Sequence, residues 1–214
     1  FQYREHGAVV ARGFPPEYIE YWAGYESGNA ALWDGHIVPL NISIAGHIPH
    51  ATGMAWAADL KDEDTVVACH FGDGATSEGD FHEGLNFAGV FDTPSVFICH
   101  NNGWAISVPR ANQTRSATIA QKADAYGFTG IQVDGMDPLA CYVAMEAAVQ
   151  NARNKSDHGR PRPVLLETIE YRFGAHTTAD DPTAYREESE VTEWRHKDPL
   201  IRFETYLRDR GLLD

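Results

Sequence analysis

Short, β-rich apolar runs that alternate with longer stretches of helical period constrain this chain more than any other feature. The runs are residues 65–71 (TVVACHF), 94–99 (PSVFIC), 130–133 and 163–168. Helical spacing falls between and around them, at 15–25, 49–60, 81–90, 138–153 and 194–213. Strands without polar alternation, separated by helices, are the pattern of a sheet covered on both faces. The expectation is an α/β fold, a mostly parallel sheet with helices on both faces. Residues 1–214 read as one domain, and a start at Phe1 rather than methionine reads as a piece of a longer chain.

Three connections stand out. Residues 72–79 form a glycine- and acid-rich loop at the end of the first run, and Asn101-Asn102-Gly103 ends the second as a turn. Residues 173–185 form a long loop rich in His, Thr and Asp, of a kind that is usually functional or mobile inside a compact domain. Residues 154–162 (NKSDHGRPR) read as a surface connection.

Composition removes two classes of function. A formal charge of −14, from 31 acidic against 17 basic residues, opposes the phosphate-backbone footprint of a nucleic-acid binder. No apolar run approaches the roughly 18 to 20 residues that span a bilayer, so no membrane role is expected. Cys69, Cys99 and Cys141 are odd in number, lack Cys-x-x-Cys spacing and fit a reducing cytoplasm.

The strongest chemical signal is Gly72-Asp73-Gly74 at the end of one strand, paired with Asn101-Asn102 at the end of the next, a helix lying between them. Ligands of open α/β sheets bind outside the carboxyl ends of strands, where both halves of this pair fall. With the surrounding run GDGATSEGDFHEGLNFAGVFDTPSVFICHNNGWAIS, the pair resembles the diphosphate and metal motif of the alpha subunits of thiamine diphosphate-dependent 2-oxo acid dehydrogenases, the decarboxylating components of such complexes. Two other segments agree. Tyr3-Arg4-Glu5-His6-Gly7 is similar to the family segment that reaches the cofactor diphosphate, and 171–186, from Tyr171-Arg172 through Ala175-His176-Thr177 to Tyr185-Arg186, is similar to the loop whose histidine faces the reacting centre.

The resemblance implies a thiamine diphosphate-binding fold and two cofactors, thiamine diphosphate and Mg²⁺. Asp73, Asn102 and the main-chain carbonyl of Trp104 are the implied metal ligands, an oxygen set that suits a hard cation. Gly72, Gly74 and Ala75 let main-chain N–H groups approach the diphosphate, and Tyr3 and Arg4 join them. Main-chain atoms of Ile42 and Ile44 are the implied contacts of the aminopyrimidine ring. His176 is the implied catalytic residue, an imidazole able to donate to a developing oxyanion or move a proton near neutral pH. His100 stands where some relatives carry an arginine that touches the diphosphate.

For His47 and His50, beside a helix start, the expectation is a capped or surface role, and for His82 and Glu83 a solvated or interface helix face. The resemblance further implies oxidative decarboxylation of a small 2-oxo acid, pyruvate ahead of branched-chain 2-oxo acids. It implies a beta subunit in an α2β2 heterotetramer, without which this chain is inactive, and a lipoyl-bearing acyltransferase core that takes the acyl group. Thr177 occupies the position of a regulatory phosphoserine in mammalian relatives. The rival reading is an assembly or regulatory module that kept the fold and lost the chemistry.

Overall fold

The computed structural model describes Gly13 and residues 16–38, 40–155, 159 and 161–214. Tyr3 and Arg4 lie outside the described residues, as does the start of the helix expected at 15–25; its described part is α1, Glu17–Trp22. A short α2 (Ala30–Asp34) follows. Then come α3 (His47–Leu60), β1 (Val67–Gly72), α4 (Gly79–Val90), β2 (Ser95–Asn101), a two-residue hairpin of β3 (Trp104–Ala105) and β4 (Val108–Pro109), β5 (Thr129–Asp134), α5 (Pro138–Arg153) and β6 (Val164–Ile169). Helices α6 (Glu188–Arg195) and α7 (Pro199–Asp209) close the chain. The single helix expected over 194–213 is thus divided, because Asp198 caps a new helix at Leu200 N with Pro199 in its first turn.

Strands β1, β2, β6 and β5 lie side by side in that order, all parallel. The sheet and its α/β class are those expected from the alternation of runs. Odd-numbered residues of the central strands (Phe71, Phe97, Cys99, Leu165) pack with Ile48, Phe81 and Leu85 from α3 and α4 and with a 3-10 helix at Ala120–Tyr126. Even-numbered residues (Val96, Ile98, Val164, Leu166) pack with Ala148 and Ala152 of α5. Connections that move one way across the sheet therefore lie on one face, and the return through α5 lies on the other, as right-handed crossovers require. Each fully buried Phe or Leu here contributes about 1.5–3 kcal/mol.

Two helices on one face need close approach. A Cβ at Gly84 would meet Ile48 Cγ2 at 2.8 Å and Pro49 N at 3.1 Å, so glycine lets α4 seat directly on α3. Thr52 Oγ1 then donates to Gly84 O across the contact. Parallel order has one consequence for function. All four strands end on the same edge, so Gly72, Asn101 and Ile169, with the segments that follow them, converge on it.

Candidate active site

β1 ends at Gly72, and the expected loop is instead a 3-10 turn, Asp73–Ser77. Its first residue is turned inward: Asp73 is 1% exposed. Burial pushes the Asp73 carboxyl up, opposed by a hydrogen bond from Gln113 Nε2 to Oδ2 at 2.8 Å. Gly72 has φ −83°, which any residue adopts, yet its missing Cβ would face open space. Glycine there keeps room rather than conformational freedom. At Gly74 a Cβ would lie 2.9 Å from Ala105 Cβ, so its absence seats the hairpin on the turn.

The two asparagines at the end of β2 divide their work. Asn101 is buried, accepts Gly103 N on Oδ1 at 3.1 Å and donates from Nδ2 to Glu167 Oε1 at 2.6 Å. Asn102 Oδ1 accepts Trp104 N at 3.1 Å, a second side-chain turn that leads into the hairpin. Trp104 Nε1 donates to Glu190 Oε1 of α6 at 3.2 Å. Ile106 at the hairpin tip has φ +54°, a costly conformation for a β-branched residue. Ala45, on the segment before α3, has φ +63°. Backbone of this kind clusters at ligand sites and costs on the order of 1–3 kcal/mol per residue.

The loop after β6 is fastened by side chains. Arg186, 8% exposed, donates to Arg172 O at 2.5 Å and to Phe173 O at 2.7 Å and Gly174 O at 3.1 Å. Arg172 Nη2 donates to Ile106 O at 2.9 Å and to Tyr185 Oη at 2.8 Å. Asp180 Oδ2 accepts Tyr185 Oη at 2.6 Å and His176 N at 2.7 Å, and the Tyr185 bond, followed by that from the His176 amide, holds its carboxyl below the usual range. Arg172 Nη1 lies 3.4 Å from His176 Nδ1. The long loop is thus one clamped unit with a half-buried His176, while Thr177 is exposed.

These pieces enclose a cavity of about 510 Å³. Gly72, Asp73, Gly74, Ala75, Asn102, Trp104, Ile44 and His176 all line it, as do His100 and Arg172. Ile42 does not; it is exposed on the approach to Ile44. Among the described residues no group of three or more His, Cys, Asp or Glu side chains is placed to hold a metal ion. The carboxylates that line the cavity are those of Asp73, Glu78 and Glu170 and the amide is that of Asn102, beside the main chain.

Several participants carry no local signal. Glu167 has no exposed surface and accepts Asn101 Nδ2, Ala120 N at 2.9 Å and Gln132 Nε2 at 3.0 Å. It ties β2, β5, β6 and the 3-10 helix together under the site. His100 Nδ1 donates to Glu170 Oε1 at 2.6 Å, His100 Nε2 pairs with His70 Nδ1 at 2.9 Å, and Thr168 Oγ1 also donates to Glu170. Burial, aided by the charge of His100, lowers His70 to about 3. The expected capped or surface role of His47 needs correction: it is 6% exposed, bonds His70 O at 2.6 Å through Nε2, and burial lowers it to about 4. His50 bonds Gly46 O at 2.8 Å, a helix-start contact. His82 pairs with Tyr126 Oη at 2.5 Å rather than facing only solvent. Cys69 and Cys99 are buried in strands, where burial pushes the Cys99 thiol well up.

The family description that matches residues 1–214 is the dehydrogenase E1 component. The chain belongs to the dehydrogenase E1 component family. Among curated relatives of this E1 component chain, the 3-methyl-2-oxobutanoate dehydrogenase subunit alpha of Mycobacterium tuberculosis is 49% identical over 212 residues, covering 99% of this chain and 56% of that protein. The pyruvate dehydrogenase E1 component subunit alpha of Staphylococcus aureus is 42% identical over 212 residues, covering 98% of this chain and 56% of that protein. The E1 component chain therefore spans 56% of the length of these relatives. No helix among its described residues is long and apolar enough to cross a membrane.

Proposed function

We propose that this chain supplies the thiamine diphosphate- and Mg²⁺-binding alpha half of a 2-oxo acid dehydrogenase. One observation carries the reading: eight residues singled out by resemblance, drawn from four separate segments, line a single cavity at the carboxyl ends of the strands. The residues fit the cofactors. A buried carboxylate raised by desolvation recovers its cost beside a cation. The open space at Gly72 accepts a bulky group beside main-chain N–H donors.

In this reading Asp73, Asn102 and the Trp104 carbonyl hold Mg²⁺, and the 72–75 backbone, with Tyr3 and Arg4, holds the diphosphate. Ile42 and Ile44 offer main-chain atoms to the aminopyrimidine ring. Thiamine diphosphate, when bound, supplies the carbon nucleophile and the electron sink for loss of CO₂. His176, oriented through its amide by Asp180 and flanked by Arg172, donates to the oxyanion that develops on the substrate or moves a proton there. Arg172 and Arg186 fix the loop so that this imidazole stays at the cavity.

The working assembly is an α2β2 heterotetramer in the cytoplasm that passes its acyl group to a lipoyl-bearing acyltransferase core. Pyruvate is the proposed substrate. The 49% identity to a 3-methyl-2-oxobutanoate dehydrogenase subunit favours a second reading, a branched-chain 2-oxo acid. The test is decarboxylation of pyruvate and of 2-oxoisovalerate, with an artificial electron acceptor, by the full-length parent co-expressed with its beta subunit. Turnover that requires thiamine diphosphate and Mg²⁺ is expected, lost in Asp73→Ala and reduced about a hundredfold or more in His176→Ala, with the substrate ratio deciding between the two acids. A wild-type complex that binds no cofactor overturns the reading in favour of an assembly module.

A further inference from the structure

Gln113 belongs to neither motif, yet it holds the residue on which the metal reading turns. It follows the 3-10 turn Arg110–Asn112 and is tied back by its own N–H to Arg110 O at 2.9 Å. Arg110 in turn donates to Ser116 O and Ala117 O, so the segment is braced on both sides of Gln113. Gln113 Nε2 donates to Asp73 Oδ2 at 2.8 Å and to Val108 O at 3.1 Å. Both partners are acceptors, so the amide cannot be flipped: nitrogen must face them, and oxygen is the buried atom left without a donor.

The chemistry of the pair is specific. A neutral amide fixes the orientation of a carboxylate without neutralising it, whereas a lysine or arginine in its place would compete with a cation. Asp73 lines the cavity, and Gln113 stands behind it, facing a separate open hollow of about 740 Å³ that also meets Lys122 and His82. Lys122, the cation on that side, is turned to Thr76, with Nζ 2.9 Å from Thr76 O and 3.2 Å from Thr76 Oγ1. Arg172 and Arg110 act on Asp73 through their charge alone, whereas the side chain that donates directly to its carboxyl is the uncharged Gln113.

The geometry points to Gln113 as the positioning residue of the divalent-cation site, orienting the Asp73 carboxylate from behind. This inference rests on the proposed cofactor reading and extends it to a residue outside the resemblance. Hydrogen-bond partners of metal ligands carry about ten- to a hundredfold in metal affinity.

The test uses the full-length chain in complex with its beta subunit. Thiamine diphosphate binding is followed by quenching of tryptophan fluorescence while Mg²⁺, and separately Mn²⁺, is titrated at saturating thiamine diphosphate. Gln113→Leu keeps the volume and removes the donor. It is expected to raise the metal concentration at half-binding about tenfold or more. Gln113→Lys retains a donor but adds a positive charge beside Asp73, and is expected to shift the midpoint further than Leu does. A purely structural role would not rank the two variants by charge. Midpoints within twofold of wild type for both variants overturn the assignment while leaving cofactor binding intact. A wild type that binds no cofactor at any metal concentration overturns both this inference and the reading beneath it.

Discussion

The two walls of the cavity are built by opposite means. One wall, Gly72 to Ala75 and Asn102, is the end of a parallel sheet; its positions follow from ladder register and from Phe71, Phe97 and Cys99, which have no exposed surface. The other, Arg172 to Arg186, has no ladder. It is held by three arginine and aspartate clamps on main-chain groups and on Tyr185. The difference teaches that the strand-end wall stands or falls with the fold, whereas the wall that carries His176 can be loosened one side chain at a time.

Removing Glu167 should break that contrast most strongly. Glu167→Ala removes the acceptor of three donors on three elements at once, two of them buried, so a loss of about 3 kcal/mol or more in unfolding free energy is expected by urea titration. The sheet-borne wall should lose cofactor binding in the same concentration range. A stable Glu167→Ala protein would show that the wall does not depend on this hub.

Acid sharpens the comparison next. His70 and His47 are held neutral by burial, at about 3 and about 4, against 6.5 in the unfolded chain. A folded pKa below the unfolded one means that the unfolded state takes up protons first as pH falls. Stability is therefore full above about 6.5 and is lost progressively below it, down toward 4 and then 3, by up to about 1.4 kcal/mol per pH unit for each group. Melting temperatures of wild type and His47→Gln between pH 7 and 4.5 check this: the variant should show the shallower slope.

The smallest effect on the fold belongs to the loop. Arg186→Ala removes bonds to three carbonyls of one segment, and is expected to lower kcat about tenfold. The metal midpoint should stay within twofold of wild type, and limited proteolysis should find a new cut between residues 173 and 186. A proportionate loss of cofactor affinity would show that the two walls are coupled more tightly than their bonding suggests.

The same division explains what was legible beforehand. Strands at 95–101 and 164–169 and the helix at 138–153 were readable because their apolar runs and, for the helix, the Asp137–Pro138 start are local signals. The placement of Asp73 and Asn102 just past strand ends was readable because the apolar runs before them are local signals. Glu167 was not, since within VLLETI it reads as an exposed strand position; its partners are up to 66 residues away. Gln113 and the His70–His100–Glu170 chain escaped for the same reason, being made by the sheet's register across at least 30 residues. The arginine clamps had no signal of this kind, because an arginine on main-chain carbonyls leaves no periodicity to read.

Strand order also has a temporal side. Of the four strands β6 is made last, yet it sits between β2 and β5. A nascent chain that has reached Arg153 can pair β1 with β2, but β5 has no neighbour, and the inner edge of β2 presents a row of unpaired main-chain groups under Val96 and Ile98. Open edges of this kind recruit other strands. Until Ile169 clears the ribosome, that open edge runs along the seam that later underlies the cavity.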